Sequence, residues 1–187
     1  VDGGTLAKCK MRFFEHNNVE SLAMMLEKGK GKRQLVAIEG VYSMEGDLPK
    51  IKEIAEVCEQ YKAGLYLDEA HSALIFGKNG RGVAEQFGVE DKIGVSFGTM
   101  SKAFGGVGGY VISNENIIRY LKSYSSTYGF SCALPPAIVA GLTKSLELAT
   151  RDSSLRDKLW ENTKYFKDGL LRLKLDIMNT ESQVIPI

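Results

Sequence analysis

The sequence predicts an α/β domain: a mainly parallel sheet with helices on both faces. Three observations lead there. Apolar runs of strand length recur at 35–38, 64–67, 95–97 and 109–112. Stretches with helical spacing alternate with them, at 19–26, 51–61 and 115–124. No internal repeat or low-complexity linker interrupts the alternation. Strand, helix and strand in succession is the pattern of parallel strands joined by crossovers and buried on both sides.

The elements follow in order. Asn17 with Glu20 resembles a capping box, and Val19, Leu22, Met25 and Leu26 then form an apolar stripe. Lys28, Lys30, Lys32 and Arg33, interleaved with Gly29 and Gly31, read as a solvated loop. Leu35-Val36-Ala37-Ile38 reads as a buried strand. The helix over 51–61 gathers Ile51, Ile54, Ala55 and Cys58 on one face. Gly64-Leu65-Tyr66-Leu67 is a strand ending at Asp68. Val95-Ser96-Phe97 and Gly109-Tyr110-Val111-Ile112 are two more, and 115–124 is a helix. After Pro135-Pro136 come two longer helices, about 136–151 and 154–173. Proline suits a first helical turn, where its missing N–H has no partner to lose. The last residues, 183–187, read as the beginning of another extended segment. The expected division is therefore a large domain with its following helices over 1–175, and the start of a small C-terminal domain over 176–187.

Composition narrows the function classes. The 187 residues suffice for one buried core, and 44% hydrophobic with 25% charged residues is ordinary for a globular chain. A net charge of +1 favours neither nucleic acid nor an anionic membrane as partner. No apolar run approaches the roughly 18–20 residues that span a bilayer. The opening Val1-Asp2-Gly3-Gly4 has neither a signal-peptide pattern nor an initiator methionine, so the chain is expected to begin mid-protein. Cys9, Cys58 and Cys132 form no C-x-x-C pair, and read as free thiols in a reducing, cytoplasmic setting.

Three segments carry candidate chemistry: 41–47, 67–82 and 98–109. Asp68-Glu69-Ala70-His71 by itself could be the metal-holding strand end of a helicase. That reading needs a G-x-x-x-x-G-K-[ST] loop, and every Gly-Lys here is followed by Gly, Arg or Asn. His16 and His71 are the only histidines and form no H-E-x-x-H, so no zinc hydrolase site is expected. His16 reads as an exposed residue before a helix. Ligands of parallel sheets bind beyond the carboxyl ends of strands, which makes Asp68 and Thr99 site candidates. Taken singly, each candidate also has an ordinary reading. Lys102 could be a surface lysine, and Asp68 a cap of the next turn. His71, Ser43, Thr99 and Ser101 could be plain turn residues.

Together the segments are more specific. Tyr42-Ser43-Met44-Glu45-Gly46-Asp47, Asp68-Glu69-Ala70-His71-Ser72, Gly80-Arg81-Gly82, Gly98-Thr99-Met100-Ser101-Lys102 and Phe130-Ser131-Cys132-Ala133-Leu134-Pro135-Pro136 resemble, in order and spacing, the α-oxoamine synthases. These are fold-type I pyridoxal-phosphate enzymes of the aminotransferase class I/II fold. The resemblance covers nearly the whole chain. It implies that this is part of the family's large domain and that pyridoxal 5'-phosphate is the cofactor. Lys102 would form the Schiff base and then serve as acid and base, which requires a lowered pKa. Asp68 would hold the pyridinium nitrogen protonated. His71 would contact the ring hydroxyl. Thr99 and Ser101 would bind the phosphate, and Ser43 would touch the cofactor. Gly105, Gly106, Gly108 and Gly109 would permit close backbone packing. Phe130-Ser131 would either reach a neighbouring subunit's site or be buried structurally.

The implied reaction condenses an amino acid with an acyl-CoA and releases CO₂ and CoA, in a homodimer. Two alternatives stay open. One is another fold-type I reaction, such as that of an aldolase or aminotransferase. The other is a non-catalytic fragment or structural subunit, against which Lys102 argues. The resemblance also implies an upstream part with a histidine that stacks on the ring, and a downstream small domain with a substrate-binding arginine. A molecule of only these 187 residues is expected to retain cofactor weakly and to turn over little. One position departs from the family: Leu74 stands where glycine is usual, which bears on the loop beside the site and on substrate choice.

Overall fold

The computed structural model describes residues 2–187. In chain order the elements are α1 (Asp2–Leu6), α2 (Val19–Glu27), β1 (Leu35–Glu39), α3 (Ile51–Gln60), β2 (Gly64–Asp68), α4 (Val83–Phe87), a 3₁₀ turn (Glu90–Lys92), β3 (Val95–Thr99), β4 (Gly109–Ser113), α5 (Glu115–Tyr124), α6 (Ser126–Gly129), α7 (Pro136–Arg151) and α8 (Ser154–Arg172). The sheet runs β1-β2-β3-β4. β1, β2 and β3 are parallel, and β4 returns antiparallel to β3. That reversal follows from connection length. A parallel return needs a crossover of about a dozen residues or more, and the turn over 100–108 is too short.

Alternation along the strands separates two faces. Val36, Ile38, Leu65 and Leu67 point into a core closed by Leu22, Leu26, Ile51, Ile54, Ala55, Cys58 and Val83. The apolar faces read from the spacing of α2 and α3 are the ones that pack here. On the opposite face Tyr66 stacks on Phe97, with ring centroids 6.3 Å apart. That face is more open, with Leu35 65% and Val111 38% exposed. α8 docks on the loop after β2, where Trp160 meets Phe76 edge-on at 5.1 Å and donates to the Ile75 carbonyl.

Several local expectations need revision. The helix cap is Asn18, whose Oδ1 accepts from the Ser21 N–H at 2.9 Å. Asn17 adopts φ 52°, and its side chain instead bridges Asp47, Leu48 and Lys50. The end of the chain forms no strand. It lies as a strap across the loops after β1 and β2. The Glu181 N–H donates to the Gly46 carbonyl, and Gln183 Nε2 donates to the His71 carbonyl at 2.7 Å. A strand needs a neighbouring strand to satisfy its backbone, and the partners here are turns and side chains. Phe130 is 93% exposed, so the buried structural reading does not hold within this chain.

Candidate active site

All six candidate residues stand at, or on the loops just beyond, the carboxyl ends of the three parallel strands. Ser43 follows β1, Asp68 ends β2 and His71 follows it, and Thr99 ends β3 and Ser101 and Lys102 follow it. The register places Asp68 between Glu39 and Phe97 on its neighbouring strands. Parallel alignment thus brings loops distant in sequence to one edge of the sheet.

Asp68 Oδ1 accepts from the Ala70 N–H at 2.9 Å, which turns the chain sharply as it leaves the strand. His71 lies half-buried in the following turn. Its pKa is lowered, first by burial and then by the positive charge of Lys102, against the opposing pull of Glu39 and Asp68. Neutral imidazole is therefore favoured. Thr99 Oγ1 and Ser101 Oγ are 2.8 Å apart, and the Thr99 hydroxyl also reaches the Gly108 carbonyl at 3.3 Å. Lys102 is exposed on a tight turn closed by Gly105 N–H to its own carbonyl, 3.0 Å, and Gly106 N–H to the Met100 carbonyl, 2.8 Å. Ser43 is exposed, and its N–H donates to Glu39 at 3.1 Å.

The glycines serve differently from one another. A Cβ on Gly106 would come within 2.6 Å of Leu142, and one on Gly109 within 3.2 Å of the Gly98 carbonyl, as close packing requires. Gly105 has open space around it, but its φ of +71° suits glycine. Leu74 also takes a left-handed conformation, φ 64°, which gives a physical reason why glycine would fit there. Its side chain lines an apolar groove of about 300 Å³ with Ala103, Leu148, Leu155 and Leu159.

One residue the sequence reading left without a role is the most constrained. Glu69, between Asp68 and His71, is 2% exposed and accepts from Ser72 and from the backbone N–H groups of Val83 and Ala84. The signal available was only its place inside the motif. His16 is exposed before α2, as expected, and pairs with Asp47 at 2.8 Å. His16, Glu45 and Asp47 are the one group among the described residues whose ligand atoms gather closely enough for a metal, within 4.8 Å. Asp47 Oδ2 already takes donors from both His16 and Asn17, so this cluster reads as a brace between loops.

Comparison with known proteins finds relatives over the whole chain. The family model for aminotransferase class I and II matches residues 2–187. An 8-amino-7-oxononanoate synthase of Thermoanaerobacter pseudethanolicus is 36% identical over 189 residues, covering 100% of this chain and 48% of its own length. The serine palmitoyltransferase structure from Sphingomonas wittichii superposes with a TM-score of 0.92 at 34% identity, over 98% of this chain and 46% of that one. The 8-amino-7-oxononanoate synthase structure from Francisella tularensis gives 0.80 at 29% identity, over 96% and 52%. The chain spans about half the length of the curated relatives it matches. With the motifs, the sheet order and the full-length family match in agreement, the chain belongs to the aminotransferase class I and II family and, within it, to the α-oxoamine synthases.

Proposed function

We propose that this chain carries the pyridoxal-phosphate-binding part of an enzyme that condenses an amino acid with an acyl-CoA, releasing CO₂ and CoA. The observation that carries the reading is the gathering of Asp68, His71, Thr99, Ser101 and Lys102 at and just beyond the ends of β2 and β3. The donor set suits the cofactor group by group. Thr99 and Ser101 offer two adjacent hydroxyls to a phosphate. Asp68 offers a carboxylate to a ring nitrogen, and His71 a largely neutral imidazole to a ring hydroxyl. Lys102 offers an exposed amine on the turn that the Gly105 N–H closes.

When bound, pyridoxal phosphate supplies an electron sink for a carbanion at the amino acid's α-carbon. In this reading Asp68 keeps the ring nitrogen protonated. Lys102 holds the cofactor covalently, then takes the α-proton and later returns it to the product carbon. Ser43 borders the cofactor from the neighbouring loop. Burial, and then the positive charge of Lys102, hold the His71 pKa down.

Residues 1–175 act as the cofactor-bearing part, and 176–187 lead toward a small domain. The exposure of Phe130, with Tyr120, Tyr124 and Tyr128, supports a homodimer that covers them. Cys9, Cys58 and Cys132 are all free, which suits a reducing compartment such as the cytoplasm. No helix among the described residues is long and apolar enough to cross a membrane.

The test is borohydride reduction of the full-length protein with added pyridoxal phosphate, followed by peptide mapping and an assay for free CoA. A label on Lys102 and CoA release from an acyl-CoA with an amino acid are expected. A label on another lysine, or none, overturns the assignment. A Lys102 label without CoA release from any acyl-CoA points to another fold-type I reaction.

A further inference from the structure

We propose that Glu69 is a positioning residue: its buried carboxylate ties together the start of the loop that carries Ser43, the turn that carries Asp68 and His71, and the turn into α4, and so fixes how Ser43, Asp68 and His71 meet the cofactor ring. The inference rests on the pyridoxal-phosphate reading above and deepens it.

The geometry is specific. Glu69 Oε2 accepts from the Ser72 hydroxyl and from the Val83 N–H at 2.9 Å, while Oε1 accepts from the Ala84 N–H at 2.9 Å. Ser72 and Val83 are 0% exposed. Two glycines clear the space. A Cβ on Gly40 would lie 2.7 Å from Oε2, and one on Gly82 2.5 Å from it. The carboxylate therefore touches the start of the loop that carries Ser43, the turn that carries His71, and the turn into α4. The backbone on either side is held as well. The Gly40 N–H donates to the Asp68 carbonyl at 2.8 Å, and the Glu69 N–H donates to the Phe97 carbonyl at 2.7 Å.

Folding uses this group, because the Val83 and Ala84 N–H groups open α4 in a buried place and need an acceptor. No cation is among its hydrogen-bond partners, and burial together with the Asp68 charge pushes its pKa up. A buried carboxylate without a counter-charge is costly, but an apolar side chain in its place would leave both of these N–H groups unpaired. What the carboxylate provides is three acceptor bonds from three directions, which an amide cannot reproduce, because its NH₂ would face a backbone N–H. Asp68 and His71 have few restraints of their own near their functional atoms. Their placement follows from the peptide between them, and Glu69 anchors that peptide.

The experiment uses the full-length holoenzyme and compares Glu69→Gln, Ser72→Ala and Val83→Ala. Readouts are the pyridoxal-phosphate dissociation constant, the pH titration of the bound cofactor's visible band, and Tm. Val83→Ala loosens the same packing without removing a donor. Glu69→Gln is expected to weaken cofactor binding about tenfold, and Ser72→Ala about threefold, each with a displaced band titration. Val83→Ala should lower Tm without displacing the titration. Unchanged affinity and titration in Glu69→Gln overturns the proposal. Should that variant fail to fold, Ser72→Ala decides alone: a displaced titration supports the proposal and an unchanged one overturns it. The same displacement in Val83→Ala would reduce Glu69 to ordinary packing. A wild-type protein that binds no pyridoxal phosphate sinks the functional reading and this inference together, whereas a silent Glu69→Gln in a wild type that binds sinks only this one.

Discussion

Thr99 and Ser101 hold their hydroxyl oxygens 2.8 Å apart at the end of β3, immediately before Lys102. The Ser101 N–H also approaches Thr99 Oγ1, at 3.3 Å. One short turn thus presents two hydroxyls and an amine on the same edge of the sheet.

Thr99→Ala should therefore weaken pyridoxal-phosphate binding by roughly ten- to a hundredfold, the value of one hydrogen bond to a charged group. Its effect on folding should stay near 1–2 kcal/mol, since the internal bonds lost lie within one exposed turn, to Ser101 and, at 3.3 Å, to the Gly108 carbonyl. Cofactor titration by absorbance, alongside denaturant unfolding, separates the two effects.

Lys102→Ala should raise the pKa of His71. The lysine's positive charge is one of the two causes that lower it, and removing that charge leaves only burial on that side. The chain has two histidines, His16 and His71, so an NMR titration of the cofactor-free protein can resolve them. An unchanged or lowered His71 value would contradict the placement of Lys102 beside it.

The same lowered pKa has a stability consequence. A histidine whose folded pKa lies below its ordinary value contributes stability that is present above about 6.5 and lost as pH falls through the folded value. Tm should drop between pH 7 and the mid-acid range, and His71→Asn should drop less. Parallel Tm profiles for the two proteins would remove His71 as a source of acid sensitivity.

Gly46→Ala should destabilise the chain by about 2–4 kcal/mol, from left-handed backbone strain plus overpacking. Gly46 has φ +73°, and a Cβ there would lie 2.2 Å from the Val184 carbonyl oxygen and 2.6 Å from Thr180 Oγ1. The substitution should also release the strap over 180–184, visible as faster amide exchange at Glu181, whose N–H donates to the Gly46 carbonyl. A variant as stable as wild type, with protected Glu181, would show that the strap does not depend on this contact.

Sequence alone determined the elements and the chemistry types. Strand and helix positions are local properties of spacing and composition, so β1 to β4, α3, α5 and α7 could be read from the chain within a residue or two. The candidate residues could be read too, because their types sit in a motif order the family shares. Tertiary structure decided what local pattern cannot carry. It chose Asn18 over Asn17 as the cap, since the Asn17 side chain is committed to residues some thirty positions away. It made 180–184 a strap instead of a strand, because the available partners were the Gly46 and His71 carbonyls. It also made Glu69 the anchor of the site. A charged residue in a sequence reads as exposed, and only the convergence of Ser72, Val83 and Ala84 donors explains how one can be buried here.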